Sequence, residues 1–206
     1  LRNILTTAQL FVDRIEGSVD PAVARTAPKL VGSISRAVAL CESTLTFGKA
    51  EEAPPQLRPI EVSTLVDQVA EDDGITAETQ VTLQNQVAAM LRPMADAEQL
   101  YRILSNLIRN ARQAMEATGK SGVITVTAGE TPTEHWILLQ DTGPGLPDRA
   151  RAHLFEAFQG GARKGGAGLG LAIAAELVRG HGGRLELLRS NDAGTAFIIH
   201  LPKLLL

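Results

Sequence analysis

The sequence predicts an α+β fold in two parts. A helical hairpin over residues 1–52 would dimerise into a four-helix bundle, and a linker over 53–58 would lead to a two-layer α/β sandwich over 59–206. Three observations predict it. The first fifty residues carry narrow apolar stripes at helical spacing. Beyond Pro54-Pro55, strand-like alternation and helical periodicity mix, with strands grouped rather than strictly alternating with helices. Twelve of the nineteen glycines fall between Gly143 and Gly194, which puts the closest turns and backbone approaches in the second part.

In the hairpin, Ile4, Ala8, Phe11 and Ile15 are spaced four, three and four apart, a narrow coiled-coil-like stripe. Gly17-Ser18-Val19-Asp20-Pro21 breaks it, and Asp20 and Pro21 suit the cap and first turn of a second helix. Its stripe runs from Leu30 through Ile34, Val38, Cys41, Leu45 and Gly48, and because Pro28 disturbs a continuous helix the regular part begins near Ala27. Two helices with one stripe each cannot close a core alone. Dimerisation into four helices buries both stripes, as would packing on the rest of the chain.

Glu51-Glu52-Ala53-Pro54-Pro55 ends the hairpin, and the prolines read as a semi-rigid spacer. Residues 60–70 read as a short strand running into a helix, and 81–87 as a half-buried strand. Residues 96–117 read as a long helix closed by Gly119, and 123–128 and 136–140 as neighbouring strands. After a turn at Gly143-Pro144-Gly145 and a glycine-rich loop over 160–166, an apolar helix over 169–179 precedes an antiparallel pair, 184–188 with 195–201.

Composition excludes several classes. Hydrophobic residues at 44% and charged residues at 21% fit a globular chain rather than a disordered or fibrous one. A net charge of −3 gives no global reason to bind nucleic acid. The single cysteine, Cys41, excludes an intramolecular disulfide and a cysteine-rich metal site. No apolar run approaches the roughly eighteen residues of a bilayer span, and the first ten residues lack a signal-peptide layout.

Three stretches carry chemistry. In Asp96–Glu116, Leu100, Ile103, Leu104, Leu107 and Ala111 supply a buried face, while Asn106, Asn110 and Gln113 line up on another. Asparagine is a poor helix former, so two of them a turn apart need a reason. Either they form a solvated polar face, or their amide oxygens serve Mg²⁺ together with ligand phosphates. Next, Asp141-Thr142-Gly143-Pro144-Gly145-Leu146 follows an apolar strand. It reads as an ordinary turn, or as a carboxylate that accepts from a ligand amine where the backbone passes close. Last, Gly165-Gly166-Ala167-Gly168-Leu169-Gly170-Leu171-Ala172-Ile173 opens an apolar helix, which aims backbone N–H groups at an anion. A loop rather than a strand precedes it and no Gly-Lys-Ser/Thr ending follows, so it is neither a dinucleotide fingerprint nor a P-loop.

Together these stretches resemble the N box and the two glycine boxes of the sensor histidine kinases, which share their ATP-binding fold with gyrase B and MutL. Leu154-Phe155-Glu156-Ala157-Phe158 resembles the F box, and Gly194-Thr195-Ala196-Phe197 with Leu201-Pro202 resembles the closing strand. The matched elements keep the family order from about Pro59 to Leu201. Leu1-Arg2-Asn3-Ile4-Leu5 resembles the tail of an H box, which would put the phosphoacceptor histidine two residues before Leu1. His135, His153, His181 and His200 all fall in the second part and read as surface or packing residues.

The resemblance implies a role for each matched residue. Asn110, assisted by Asn106, would hold Mg²⁺ bridging the phosphates of ATP. Asp141 would accept from the adenine amino group, Gly143 and Gly145 would let the chain pass the base, and Thr195 would support Asp141 through water. Gly166, Gly168 and Gly170, with Leu169, would place amides near the phosphates. Gln113 departs from the pattern, since many members carry a phosphate-contacting lysine there; Arg109, Arg163 and Lys164 are the substitutes at hand. The implied partners are a second copy of the hairpin and a response-regulator receiver domain. The implied location is cytoplasmic, with any membrane anchor upstream. The competing readings are a phosphotransferase or scaffold that does not use ATP, and a true ATPase.

Overall fold

The computed structural model describes residues 53–156 and 169–203. The predicted hairpin over 1–52 lies outside the described residues, as do Arg163, Lys164, Gly166, Gly168 and the end of the F-box stretch.

The described elements run β1 (Arg58–Pro59), α1 (Val62–Asp72), β2 (Val81–Asn85), β3 (Met94–Ala95), α2 (Ala97–Glu116), β4 (Gly122–Glu130), β5 (Glu134–Asp141), α3 (Asp148–Arg151), α4 (Gly170–Gly180), β6 (Arg184–Asn191) and β7 (Gly194–Pro202). Five strands form one sheet in the order β2-β4-β5-β7-β6, and β1 and β3 form a separate two-residue ribbon. The β2–β4 pair is parallel, as a connection through a helix allows, and the other pairs of the sheet are antiparallel.

Strand alternation builds the second layer. Ile124, Val126, Ile137, Leu139, Phe197, Ile199 and Leu201 are buried and join one core with the apolar faces of α1, α2 and α4. The outward register pairs Gly129 with Trp136, and a Cβ on Gly129 would meet the indole at 2.5 Å. The helices thus cover one face of the sheet, the predicted two-layer arrangement.

Helix α2 is central. Asp96 caps it, its Oδ1 accepting from the amides of Glu98 and Gln99 at 3.0 and 3.1 Å. Leu100, Ile103, Leu104, Leu107 and Ile108 are at most 1% exposed. Each fully buried side chain of this kind contributes roughly 1.5–3 kcal/mol. Two asparagines cost at most about 0.7 kcal/mol apiece in helix propensity. Packing therefore decides the helix, and the polar positions are tolerated.

The linker is more than a spacer. The Ala53 carbonyl accepts from Gln99 Nε2 at 3.0 Å, and the Gln56 amide donates to Asp96 Oδ2 at 3.0 Å. Its last residue then enters the β1–β3 ribbon, Arg58 opposite Ala95. Residues 53–58 are bonded to the start of α2.

Candidate functional site

Asn106 and Asn110 lie one turn apart on α2 and face the start of α4. A Cβ placed on Gly170 would stand 3.1 Å from Asn106 Oδ1 and 3.5 Å from Asn110 Nδ2, so glycine lets the helix start sit against both amides. Leu169, 2% exposed, occupies the cap position of α4 and offers no side-chain acceptor. The first amides of α4 thus open beside two side-chain amides, an arrangement that favours an anion. Arg109 is exposed and donates from Nη2 to Asn106 Oδ1 at 3.3 Å. Gln113, expected on the same face, is exposed while both asparagines are partly buried.

Asp141 ends β5 and is 6% exposed. Its Oδ1 accepts from the Gly143 amide at 2.8 Å and from the Thr195 amide at 3.2 Å. Thr195 therefore reaches the carboxylate through its main-chain amide. The cause is β7, which passes close enough to bring its own amide to the carboxylate.

Two left-handed glycines lock this turn to the β6–β7 hairpin. Gly145 has φ +73°, and a Cβ there would collide with the main chain of Asn191. Gly194 has φ +127° and packs on the Asp141 carbonyl, where no side chain fits. The Leu146 amide donates to Ser190 Oγ at 2.7 Å and Arg151 Nη2 to the Ser190 carbonyl at 2.7 Å. The carboxylate is held from both sides.

The structure thus brings Asn106, Asn110, Arg109, Leu169 and Gly170 together at one end, and Asp141, Gly143, Gly145 and Thr195 at the other. Sequence reading missed Ser190 and Asn191, which buttress the turn, and Met115, which lies beneath it. Glycines at 122 and 143, with no turn to explain the first, were the available signal for Met115.

The histidines have structural partners. His181 is buried between α4 and the start of α2, His200 Nδ1 lies 2.7 Å from Glu134 Oε1, His135 pairs with Glu130, and exposed His153 pairs with Glu156. Burial lowers the His135 pKa below its usual value. The Gln99 amide, ahead of the Gln56 and Glu98 amides, holds the Asp96 carboxyl below the usual range, burial opposing it. Among the described residues no group of three or more His, Cys, Asp or Glu could hold a metal. A divalent cation at this site would have to rest on amide oxygens and ligand phosphates. Mg²⁺ accepts that donor set, being bound through few protein oxygens plus substrate. No helix among the described residues is long and apolar enough to cross a membrane.

A helix-backed mixed sheet, an amide pair against a helix start and a buried carboxylate in a glycine turn define an ATP-binding class. Residues 95–205 match the family described as histidine kinase-, DNA gyrase B- and HSP90-like ATPase, and the chain belongs to it. It is 30% identical over 191 residues to the probable sensor histidine kinase TcrY of Mycobacterium tuberculosis, covering 89% of this chain and 39% of that protein. To the sensory histidine kinase/phosphatase NtrB of Rhodobacter capsulatus it is 27% identical over 184 residues, covering 84% and 51%. The chain thus spans about half or less of these curated relatives. Among solved structures, full-length ShkA in complex with AMPPNP superposes with a TM-score of 0.70 at 26% identity, over 98% of this chain and 45% of that one. The mycobacterial sensor histidine kinase MprB gives 0.58 at 26% identity, over 71% and 97%.

Proposed function

We propose that this chain is the ATP-binding core of a protein-histidine kinase in a two-component signalling pair. The observation that carries the reading is the joint placement of Asn106 and Asn110 against the Gly170 helix start, with Asp141 fixed by two amides at the other end. The AMPPNP complex of ShkA supports nucleotide binding by the same fold.

In this reading Asp141 accepts from the adenine amino group, and Gly143 and Gly145 let the base lie against the chain. Asn110, with Asn106, holds Mg²⁺ through amide oxygens, and the ion neutralises phosphate charge when bound. The amides from Leu169 and Gly170, joined by those of Gly166 and Gly168, receive the phosphates. Arg109, beside Asn106, is the described cation nearest the site, and Arg163 and Lys164 precede Gly166 in the chain. The reaction is phosphoryl transfer, in which positioning and charge matter more than covalent chemistry from the protein. An amide cannot act as a general base, so Asn106 disfavours hydrolysis and favours transfer to a protein nucleophile.

That nucleophile would be a histidine two residues before Leu1, on a hairpin over 1–52 that pairs with a second copy. The phosphoryl group would pass on to an aspartate of a response-regulator receiver domain, in the cytoplasm. The histidine kinase ThkA has been solved in complex with the response regulator TrrA, a fold match at TM-score 0.70 and 23% identity.

The test is a displacement titration of a fluorescent ATP analogue from the chain, run alongside a phosphate-release assay without acceptor. ATP displaces the probe and phosphate release stays at background. Steady release would move the chain to the hydrolysing ATPases. Failure of ATP to bind would make it a nucleotide-independent phosphotransferase or scaffold.

A further inference from the structure

We propose that Met115 is a positioning residue for base recognition, a post that sets the Asp141–Gly143 turn at a fixed height over the helix bearing Asn106 and Asn110. The inference rests on the nucleotide reading above and adds a determinant to it.

Met115 is in the last turn of α2 and 2% exposed. Five residues past Asn110, it stands about 7.5 Å further along the helix axis. Its side chain meets the site from beneath on three sides. A Cβ on Gly122 would overlap its sulfur, and a Cβ on Gly143 would stand 3.1 Å from its Cγ. The Thr142 hydroxyl lies 3.8 Å from its Sδ and accepts from the Val123 amide at 3.0 Å.

Gly122 is the telling contact. It opens β4 and pairs with Val81 at the first rung of the parallel ladder, and a glycine in a strand marks a place where another group approaches closely. Here the approaching group is Met115. Gly143 stands next to the same side chain, and its amide holds Asp141 Oδ1 at 2.8 Å. A displacement of the side chain therefore moves Gly143, and Gly143 moves the carboxylate. The same rigid helix carries the two asparagines, Asn110 five residues before Met115. An unbranched thioether suits the irregular slot between the two glycines.

The test uses the full chain, titrated calorimetrically with ATP, GTP and inorganic tripolyphosphate in Mg²⁺. Met115→Leu nearly conserves volume, so stability changes little, yet it loses the reach to Thr142. ATP affinity falls about tenfold, or 1.4 kcal/mol, the ATP-over-GTP preference shrinks, and tripolyphosphate binding is unchanged. Gly122→Ala, which pushes on Met115 from the sheet side, gives the same selective loss. Met115→Ala removes the post and gives the same selective loss; combined with Gly122→Ala, whose Cβ then has no side chain to push, the loss is no greater than in Met115→Ala alone, a coupling only touching residues show. Parallel loss of ATP and tripolyphosphate, or losses that add in the double variant, would make Met115 a core residue without a role in base recognition. An unsubstituted chain that binds tripolyphosphate but not ATP, or neither, would overturn the nucleotide reading and this inference with it.

Discussion

The Asp96 amide donates to Nε2 of His181 at 3.0 Å, joining the start of α2 to the residue that caps α4. The acceptor role at Nε2 puts the imidazole proton on Nδ1, which faces the Leu177 carbonyl at 2.8 Å. One neutral ring therefore satisfies a helix start and a helix end while the Asp96 carboxylate holds the linker at Gln56. The two helices that carry Asn106, Asn110 and Gly170 are registered by this bond as well as by packing.

His181→Ala leaves the Asp96 amide without its partner, at about 1–3 kcal/mol for an unsatisfied group, while the Leu177 carbonyl keeps the main-chain amide of residue 181 at 3.2 Å. The urea midpoint should drop at unchanged slope, because the exposed surface of the unfolded chain is the same. Amide exchange at Asp96 and through the first turn of α2 should accelerate more than exchange in β5. A midpoint equal to that of the unsubstituted chain would show the ring to be dispensable.

Glu134 makes a pH-dependent contribution. Arg184 bonds both its oxygens at 2.7 and 3.2 Å, and this donation, with His200 adding to it, brings the carboxyl from 4.5 to about 2. A carboxyl depressed in the folded state stabilises fully above its unfolded value and loses that contribution as protons return. The stability of the unsubstituted chain should decline between about pH 4.5 and pH 2 through this group. Glu134→Gln should be less stable at neutral pH and flatter across that window, checked by thermal melts at stepped pH.

Most of the described fold could be read from the sequence because the decisive signals are local. Asp96, the apolar stripe and Gly119 delimit α2 to within a residue or two, and Gly119 does take the left-handed conformation. The alternation marks the β6–β7 pair over 184–188 and 195–201, shorter than the strands Arg184–Asn191 and Gly194–Pro202. Its polar end, Arg189 to Asn191, follows a bulge at Leu187/Arg189 that interrupts alternation and leaves Leu188 55% exposed. Strand β3 was not readable, being two residues long and defined only by a partner about thirty-five positions away. Helix α3 spans a single turn and offers no periodicity. At the site, the asparagine spacing was legible, whereas the support of Asp141 by the Thr195 amide depends on how closely β5 and β7 pair. The role of His181 was invisible for the same reason, since its partner lies 85 positions away.

Asp141→Asn tests base selection. Two amides occupy Oδ1, so an asparagine must keep its oxygen there and turn its NH₂ toward the position assigned to the adenine amine. Two donors then oppose each other. ATP affinity should fall by about 2 kcal/mol, the penalty for an unsatisfied polar group, while GTP, which presents a carbonyl, should bind relatively better. Competition titrations with both nucleotides read the ratio directly, and an unchanged ratio would remove Asp141 from base recognition.

Asn110→Ala is the most direct test of the site as a whole. It deletes one amide beside Gly170 and leaves the packed face of α2 untouched, so the fold should persist by circular dichroism and melting. Calorimetric titration with ATP in the presence of Mg²⁺ should show binding by the unsubstituted chain and none, or at least about a tenfold loss, in the variant. Equal affinity in the two proteins would contradict the assignment of this site to Mg-ATP.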